Sequence, residues 1–250
     1  MRLGDVVQIA VGVPDVSTSS DFYQKLGFQI FARGEEPWPW VQLFDGQNLV
    51  LLNQDGHQYV GLNYFSSAVV ERIEELESMG VRFLAKTELG GEIAQAVFQD
   101  ADGCMVGLIN HDAPQLPDES GTPLTRCGTF GEFSIPVRKL DQSAAFWSRI
   151  GFERLHVSEE PYPWSILSDG LMVLGLHQTS SYANGNGSQM TFDTPTLTYF
   201  APDMGDRIAE FRAEGFRFTV ELANESGRVV TAILETPGGE PLFLVQGEVL

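Results

Sequence analysis

Two short segments of this chain place aromatic rings between prolines: EEPWPW at 35–40 and EEPYPW at 159–164. Proline fixes φ near one value, so a ring in such a loop is held out with little entropy left to lose on binding. Rigid, flat aromatic walls suit a planar or a cationic small molecule. Trp40 and Trp164 also open strands, where filling the core competes with lining a groove. Trp38 and Tyr162 lie two residues earlier in the loops and are the stronger candidates for rings that face a ligand. The second chemical feature is a polar residue inside each of two apolar strand runs, Gln8 in VVQIAVGV and Glu132 in TFGEFSIPV. A carboxylate set among apolar residues must be paired, solvated or neutralised. Glu132 is therefore the candidate catalytic residue, as a general base, or else an acceptor for a cationic ligand. The competing reading is a carboxylate at the wet end of its strand.

Other reactive types offer less. Of the four histidines, His57 follows the Asp55-Gly56 turn, His111 falls in a linker and His156 in a strand. His177 ends a strand, where a polar rim position competes with ligand contact. No His-x-His or His-Glu-x-x-His spacing occurs, and no G-x-S-x-G, P-loop or dinucleotide-binding glycine pattern follows a strand. Cys104 and Cys127 are too few for a disulfide framework and have no neighbouring His or Lys to activate them.

The chain has 250 residues, with 34 Asp+Glu against 15 Lys+Arg and a formal net charge of −19. At roughly 100–200 residues per domain the length suggests two domains. Hydrophobic residues at 43% supply a core and exclude general disorder. The acidity opposes binding to phosphate backbones and anionic membranes and mildly favours a cationic guest. The first residues form neither a signal peptide nor an anchor, and no apolar run of roughly 18 residues occurs. A cytoplasmic protein is expected, monomeric or homodimeric, with a small-molecule ligand and with neither nucleic acid nor membrane as partner.

An internal repeat organises these features. Sliding the chain by 124 residues lays 5–53 over 129–177 with 14 of 49 positions identical; chance gives about three at average residue usage. The matches include Phe22 with Phe146, Gly27-Phe28 with Gly151-Phe152, and Asp45-Gly46 with Asp169-Gly170. Past residue 180 the offset becomes 135, and Gly80-Val81 falls on Gly215-Phe216. The Pro/Asp/Ser/Gly-rich stretch 112–126 reads as a linker between domains 1–111 and 127–250. The Asn/Gly/Ser stretch 180–189 reads as a flexible loop of the second domain alone.

Each half carries an inner repeat of strand, helix and three strands. In the first, a helix over 16–26 is opened by Asp15 as N-cap, with Val16, Phe22, Tyr23 and Leu26 on one face. A second helix over 66–80 has Ser-type capping, apolar Val69, Val70, Ile73 and Leu76, and ends at Gly80. The expected fold is α+β: a tandem duplication of paired βαβββ modules, four in all, with curved mixed sheets and the helices on the outside.

With that plan, VGVPDVSTSSDFYQKLGF (11–28), IPVRKLDQSAAFWSRIGF (135–152) and the tails DADGCMVG (100–107) and TPGGEPLF (236–243) resemble the vicinal oxygen chelate superfamily. That group includes glyoxalase I, extradiol dioxygenases and the fosfomycin and bleomycin resistance proteins. The resemblance implies a divalent metal held from the first, fifth and eighth strands of a domain. Carried onto this chain, those positions are Gln8, Tyr59 and Gly107 in one half and Glu132, Thr194 and Phe243 in the other. Exchange of first strands between halves gives Glu132/Tyr59/Gly107 and Gln8/Thr194/Phe243. Glycine and phenylalanine offer no side-chain ligand, so no metal and no other cofactor is expected.

Two functions follow. One is a metal-free binding protein similar to the bleomycin-resistance branch, taking a ligand against Gln8, Trp38, Trp40, Tyr59, Glu132, Tyr162, Trp164 and His177. The other is an enzyme similar to glyoxalases or dioxygenases, using Glu132 with a non-standard or weakly held divalent metal.

Overall fold

A computed structural model describes residues 2–112, 125–178 and 193–249. The 180–189 stretch and all but the ends of the 112–126 linker lie outside the described residues. The first module comprises β1 (Val6–Gly12), α1 (Val16–Lys25), β2 (Gln29–Gly34), β3 (Trp40–Phe44) and β4 (Leu49–Asn53). The second comprises β5 (Tyr59–Ser66), α2 (Val69–Ser78), β6 (Phe83–Leu89), β7 (Glu92–Gln99) and β8 (Met105–Asn110). The third comprises β9 (Thr129–Pro136), α3 (Leu140–Arg149), β10 (Glu153–Ser158), β11 (Trp164–Ser168) and β12 (Val173–His177). The fourth comprises β13 (Thr196–Ala201), α4 (Met204–Ala213), β14 (Phe218–Ala223), β15 (Val229–Leu234) and β16 (Leu242–Gln246).

Hydrogen bonds join these strands into two eight-stranded sheets, ordered β2-β3-β4-β1-β5-β8-β7-β6 and β10-β11-β12-β9-β13-β16-β15-β14. The sheets are mixed: β5 pairs with β8 and β13 with β16 in parallel, whereas the hairpins are antiparallel. This is the α+β arrangement of four βαβββ modules that the repeat predicts. The hairpin turns repeat as well. Asp45 Oδ1 accepts from the backbone N–H of Gln47 and Asn48 at 2.7 and 2.5 Å, and Asp169 Oδ1 from Leu171 and Met172 at 2.9 and 2.8 Å. An Asp side chain that mimics the backbone in this way sets the turn, and the following Gly supplies the positive φ.

The helices depart from expectation in detail. Asp15 caps α1 by accepting from the Thr18 N–H at 2.6 Å. The buried face of α1, however, is Ser19, Ser20 and Tyr23 with the C-cap Leu26, while Val16 and Phe22 are only half-buried. Small residues let the helix lie close to β3 and β4, against which it packs. The N-cap of α2 is Ala68, with no side-chain cap bond; Ser66 Oγ accepts from the Ala68 N–H instead. Val69, Ile73 and Leu76 are buried there, but Val70 is 44% exposed.

By compactness the chain divides into two units, each drawn from both halves. Unit 1 is Met1–Ile9, Val60–Pro117 and Ser134–Asp193; unit 2 is Ala10–Tyr59, Asp118–Phe133 and Thr194–Leu250. Within unit 1, α3 is fixed by the tail of the second module. Trp147 Nε1 donates to Asp100 Oδ2 at 3.1 Å, Ser143 Oγ donates to Asp102 Oδ2, and the Arg138 backbone N–H donates to Asp102 Oδ1 at 3.0 Å. Within unit 2, α1 meets the tail of the fourth module in the same manner: the Tyr23 hydroxyl donates to Glu240 Oε1 at 2.8 Å. The hairpin aspartates are used similarly. The Tyr199 hydroxyl donates to Asp45 Oδ2 at 2.8 Å in unit 2, and in unit 1 the Tyr64 hydroxyl lies beside Asp169 without a well-formed hydrogen bond. Among the described residues each unit thus sets two aromatic donors beside carboxylates, of which Asp45, Asp100 and Glu240 are buried and Asp169 is half-buried. Burial pushes the Asp45, Asp100 and Glu240 carboxyls above their usual range.

Candidate ligand-binding site

The eight residues singled out in the sequence fall into two groups. Trp38, Trp40, Tyr59 and Glu132 belong to unit 2; Gln8, Tyr162, Trp164 and His177 belong to unit 1.

In unit 2 the Pro-aromatic loop is tied down ring by ring. Trp40 Nε1 donates to the Glu36 carbonyl at 3.2 Å. Its indole covers Gly34, where an added Cβ would lie 2.7 Å from the ring. Trp38 is 41% exposed, and its Nε1 donates to Asn53 Oδ1 at 3.3 Å. Asn53 Nδ2 donates in turn to the Tyr59 hydroxyl at 2.9 Å, and that hydroxyl donates to Asp55 Oδ2 at 3.0 Å. A relay of three hydrogen bonds therefore runs from an exposed indole to a carboxylate. The Tyr59 hydroxyl is pushed up to about 12, first by burial and also by the Asp55 charge. It stays a neutral donor across the physiological range.

In unit 1 the matching loop keeps one tie and changes the rest. Trp164 Nε1 donates to the Glu160 carbonyl at 3.0 Å, as Trp40 does to Glu36. The Pro37 and Pro161 peptide bonds are both cis. Trp164 is flanked by two imidazoles: His177 stacks at 14° with centroids 6.4 Å apart, and His156 lies 4.9 Å away. The Tyr162 hydroxyl and His177 Nδ1 are 3.1 Å apart. His57 is exposed beside its turn, its backbone N–H donating to Asp55 Oδ1.

The first-strand polar residues are both buried, Gln8 to 2% and Glu132 to 6% exposure. Gln8 Oε1 accepts from Asn63 Nδ2 at 3.5 Å, and Asn63 stands in register with Gly107. A Cβ on Gly107 would lie 2.5 Å from Asn63 Oδ1, so the carboxamide fills the space that a larger side chain at 107 would need. In unit 2, Glu132 and Thr198 are both buried and engaged by neighbours, and Thr198 is in register with Phe243. The fifth-strand residues opposite the tail positions are thus Asn63 and Thr198. Tyr59 opens its strand four residues earlier, and Thr194 lies exposed before β13. The signal that points to Asn63 and Thr198 is a polar residue in the middle of the apolar strands YVGLNYF and TLTYF.

Among the described residues no group of three or more His, Cys, Asp or Glu side chains is placed to hold a metal ion. Both cysteines are buried, and burial pushes the Cys127 thiol up to about 12 and the Cys104 thiol well above its usual value. Neither is a thiolate nucleophile.

No family model and no curated protein matches this chain. Solved structures do. The 2,3-dioxygenase LapB from Pseudomonas sp. KL28 is 12% identical with a TM-score of 0.60, covering 97% of this chain and 94% of that one. The 2,2',3-trihydroxybiphenyl 1,2-dioxygenase from Sphingomonas wittichii strain RW1 is 14% identical with a TM-score of 0.58, covering 98% and 90%. An extradiol ring-cleaving dioxygenase from B. fuscum is 11% identical with a TM-score of 0.63, covering 97% and 71%. At such identities the likeness speaks for architecture, and with the strand orders above it shows that this chain has the vicinal oxygen chelate fold.

Proposed function

We propose that this protein binds a small planar molecule against a Pro-aromatic loop, and that it does so without a metal. The observation that carries this reading is the repeated loop itself. In both halves a tryptophan N–H is tied to a backbone carbonyl four residues back, and the second ring of the loop is tied to the residue that ends the neighbouring hairpin strand, Asn53 or His177. Rings fixed before the ligand arrives give up little freedom on binding.

The donor set supports the metal-free part. At the positions where the fold would hold a divalent ion, unit 1 has two neutral carboxamides and a glycine, Gln8, Asn63 and Gly107. Unit 2 has one carboxylate, a hydroxyl and a phenyl ring, Glu132, Thr198 and Phe243. A non-haem iron site needs two imidazoles and a carboxylate, and neither set comes near it. A second reading, an enzyme using Glu132 with a weakly held divalent ion, draws on the burial of that carboxylate and on the ring-cleaving activity named for the similar structures.

Two measurements decide between them. Titration with the planar cation proflavine, followed by tryptophan fluorescence, should saturate, and Trp38→Ala should weaken it about tenfold through loss of a cation–aromatic contact. Unchanged affinity in both Trp38→Ala and Tyr162→Ala would remove these loops as the site. Elemental analysis of protein purified without chelator should find no stoichiometric divalent metal. A full equivalent that disappears in Glu132→Gln would establish the enzyme reading instead.

A further inference from the structure

Unit 2 contains a pocket of about 290 Å³ away from the aromatic loops, where the end of α1 meets the turn after α4 and the tail of the fourth module. Phe22 and Phe216 line it with ring centroids 5.4 Å apart at 69°. Lys25, Arg217, Glu214 and Glu235 line it as well. Glu214 is already neutralised, because Arg126 grips both its oxygens at 2.6 and 2.7 Å. Among the described residues neither Lys25 nor Arg217 makes an ion pair. With Glu214 paired, the charged residues remaining in the lining are two cations against Glu235, a positive balance in a chain of net charge −19.

The internal repeat supplies a comparison. At its two offsets Phe22, Lys25, Gly215 and Arg217 fall on Phe146, Arg149, Gly80 and Arg82, so both copies keep a phenyl ring, a glycine and two cations. What differs is their use. In unit 1 the Arg149 guanidinium lies over the Phe146 ring at 5.7 Å, and Val81 stands where unit 2 has Phe216. In unit 2 the ring is matched by a second ring, and among the described residues neither cation makes an ion pair or lies over a ring.

We propose that this pocket binds a small aryl carboxylate, its ring against Phe22 and Phe216 and its anionic head between Lys25 and Arg217. The volume accommodates one substituted ring. Ammonium and guanidinium donors make charge-assisted hydrogen bonds to a carboxylate, and aromatic edges receive a ring face. The site is independent of the proposed planar-ligand site, since it shares no residue with the Pro-aromatic loops.

The test is a fluorine NMR titration of para-fluorobenzoate into the full chain. Saturable one-to-one binding is expected, weakened about tenfold in Lys25→Gln/Arg217→Gln and unchanged in Trp38→Ala, with para-fluorobenzylamine binding at least tenfold more weakly. Both cations are exposed and make no ion pair among the described residues, so the double variant should keep its circular dichroism spectrum; the single variants serve in its place if it does not. No saturable binding, binding that survives loss of both cations, binding lost on Trp38→Ala, or equal binding of the benzylamine would each overturn the proposal.

Discussion

In the proposed binding wall, Trp38 is held by more than its own ring. The relay from the Trp38 indole through Asn53 and Tyr59 to Asp55 holds an exposed ring at one orientation. Tyr59→Phe should therefore weaken proflavine binding although Tyr59 need not touch the ligand, and fluorescence anisotropy of Trp38 should fall with it. Burial raises the Tyr59 pKa to about 12. Its contribution to stability is fully present below the unfolded value near 10 and is lost as pH rises toward 12, which an ultraviolet tyrosinate titration run beside a stability curve should show. Glu240 has the same sign at lower pH. Its carboxyl is raised by burial, Oε1 is met by Tyr23, and Oε2 has no partner among the described residues. Below the usual glutamate pKa both states are protonated and no penalty exists; above the raised value the buried charge costs stability. Glu240→Gln should accordingly stabilise by about 1 kcal/mol at neutral pH, with the gain fading as pH falls below the usual glutamate value. Thermal melts at two pH values measure this.

At the scale of elements, the two copies of one helix provide a matched pair. Ser143 on α3 donates to Asp102, whose side chain is 5% exposed. Its repeat counterpart on α1, Ser19, is fully buried and its Oγ has no partner among the described residues; in the aligned tails Gly238 stands where the second module has Asp102. Ser143→Ala should cost about 1.5–3 kcal/mol, the value of a hydrogen bond to a charged group, and should free the start of α3. Ser19→Ala should be neutral or should stabilise by up to about 1 kcal/mol, since it removes an unsatisfied hydroxyl and adds the best helix former. Denaturant unfolding of the two variants reads the contrast directly. The same helix shows where periodicity misleads. Apolar Val16 and Phe22 suggest a face that the fold half-exposes, while serines take the contact, because the distance of α1 from β3 and β4 is set by small side chains rather than by hydrophobicity. At Gly34 a single methyl is enough to matter: Gly34→Ala would push a Cβ into the Trp40 indole and move that ring.

For the whole molecule, the repeat made the architecture readable. Fourteen identities at one offset, the doubled Asp-Gly turns and the alternating strands are local signals, and all four modules follow from them. The site was legible only in outline. Gln8, Glu132 and the loops stand out by type, whereas Asn63 and Thr198 matter only through the strand register that sets them opposite Gly107 and Phe243. Least legible was the partnering of modules. A repeat says which modules are alike, not which of them pack together, and each unit takes pieces of both halves. Residues 1–111 expressed alone should therefore fail to unfold cooperatively, while co-expression with 127–250 should give a two-fragment complex that does. Cooperative unfolding of the first fragment by itself would contradict this. The same division fixes an order of events during synthesis. Unit 1 has its described strands once β12 has been made, but residues 10–59 wait for partners that end with β16, near the end of this chain. At about 5–20 residues per second that wait lasts on the order of 10–40 s. Over that interval the first module is without the strands that complete its unit, and limited proteolysis of stalled chains should cut it preferentially.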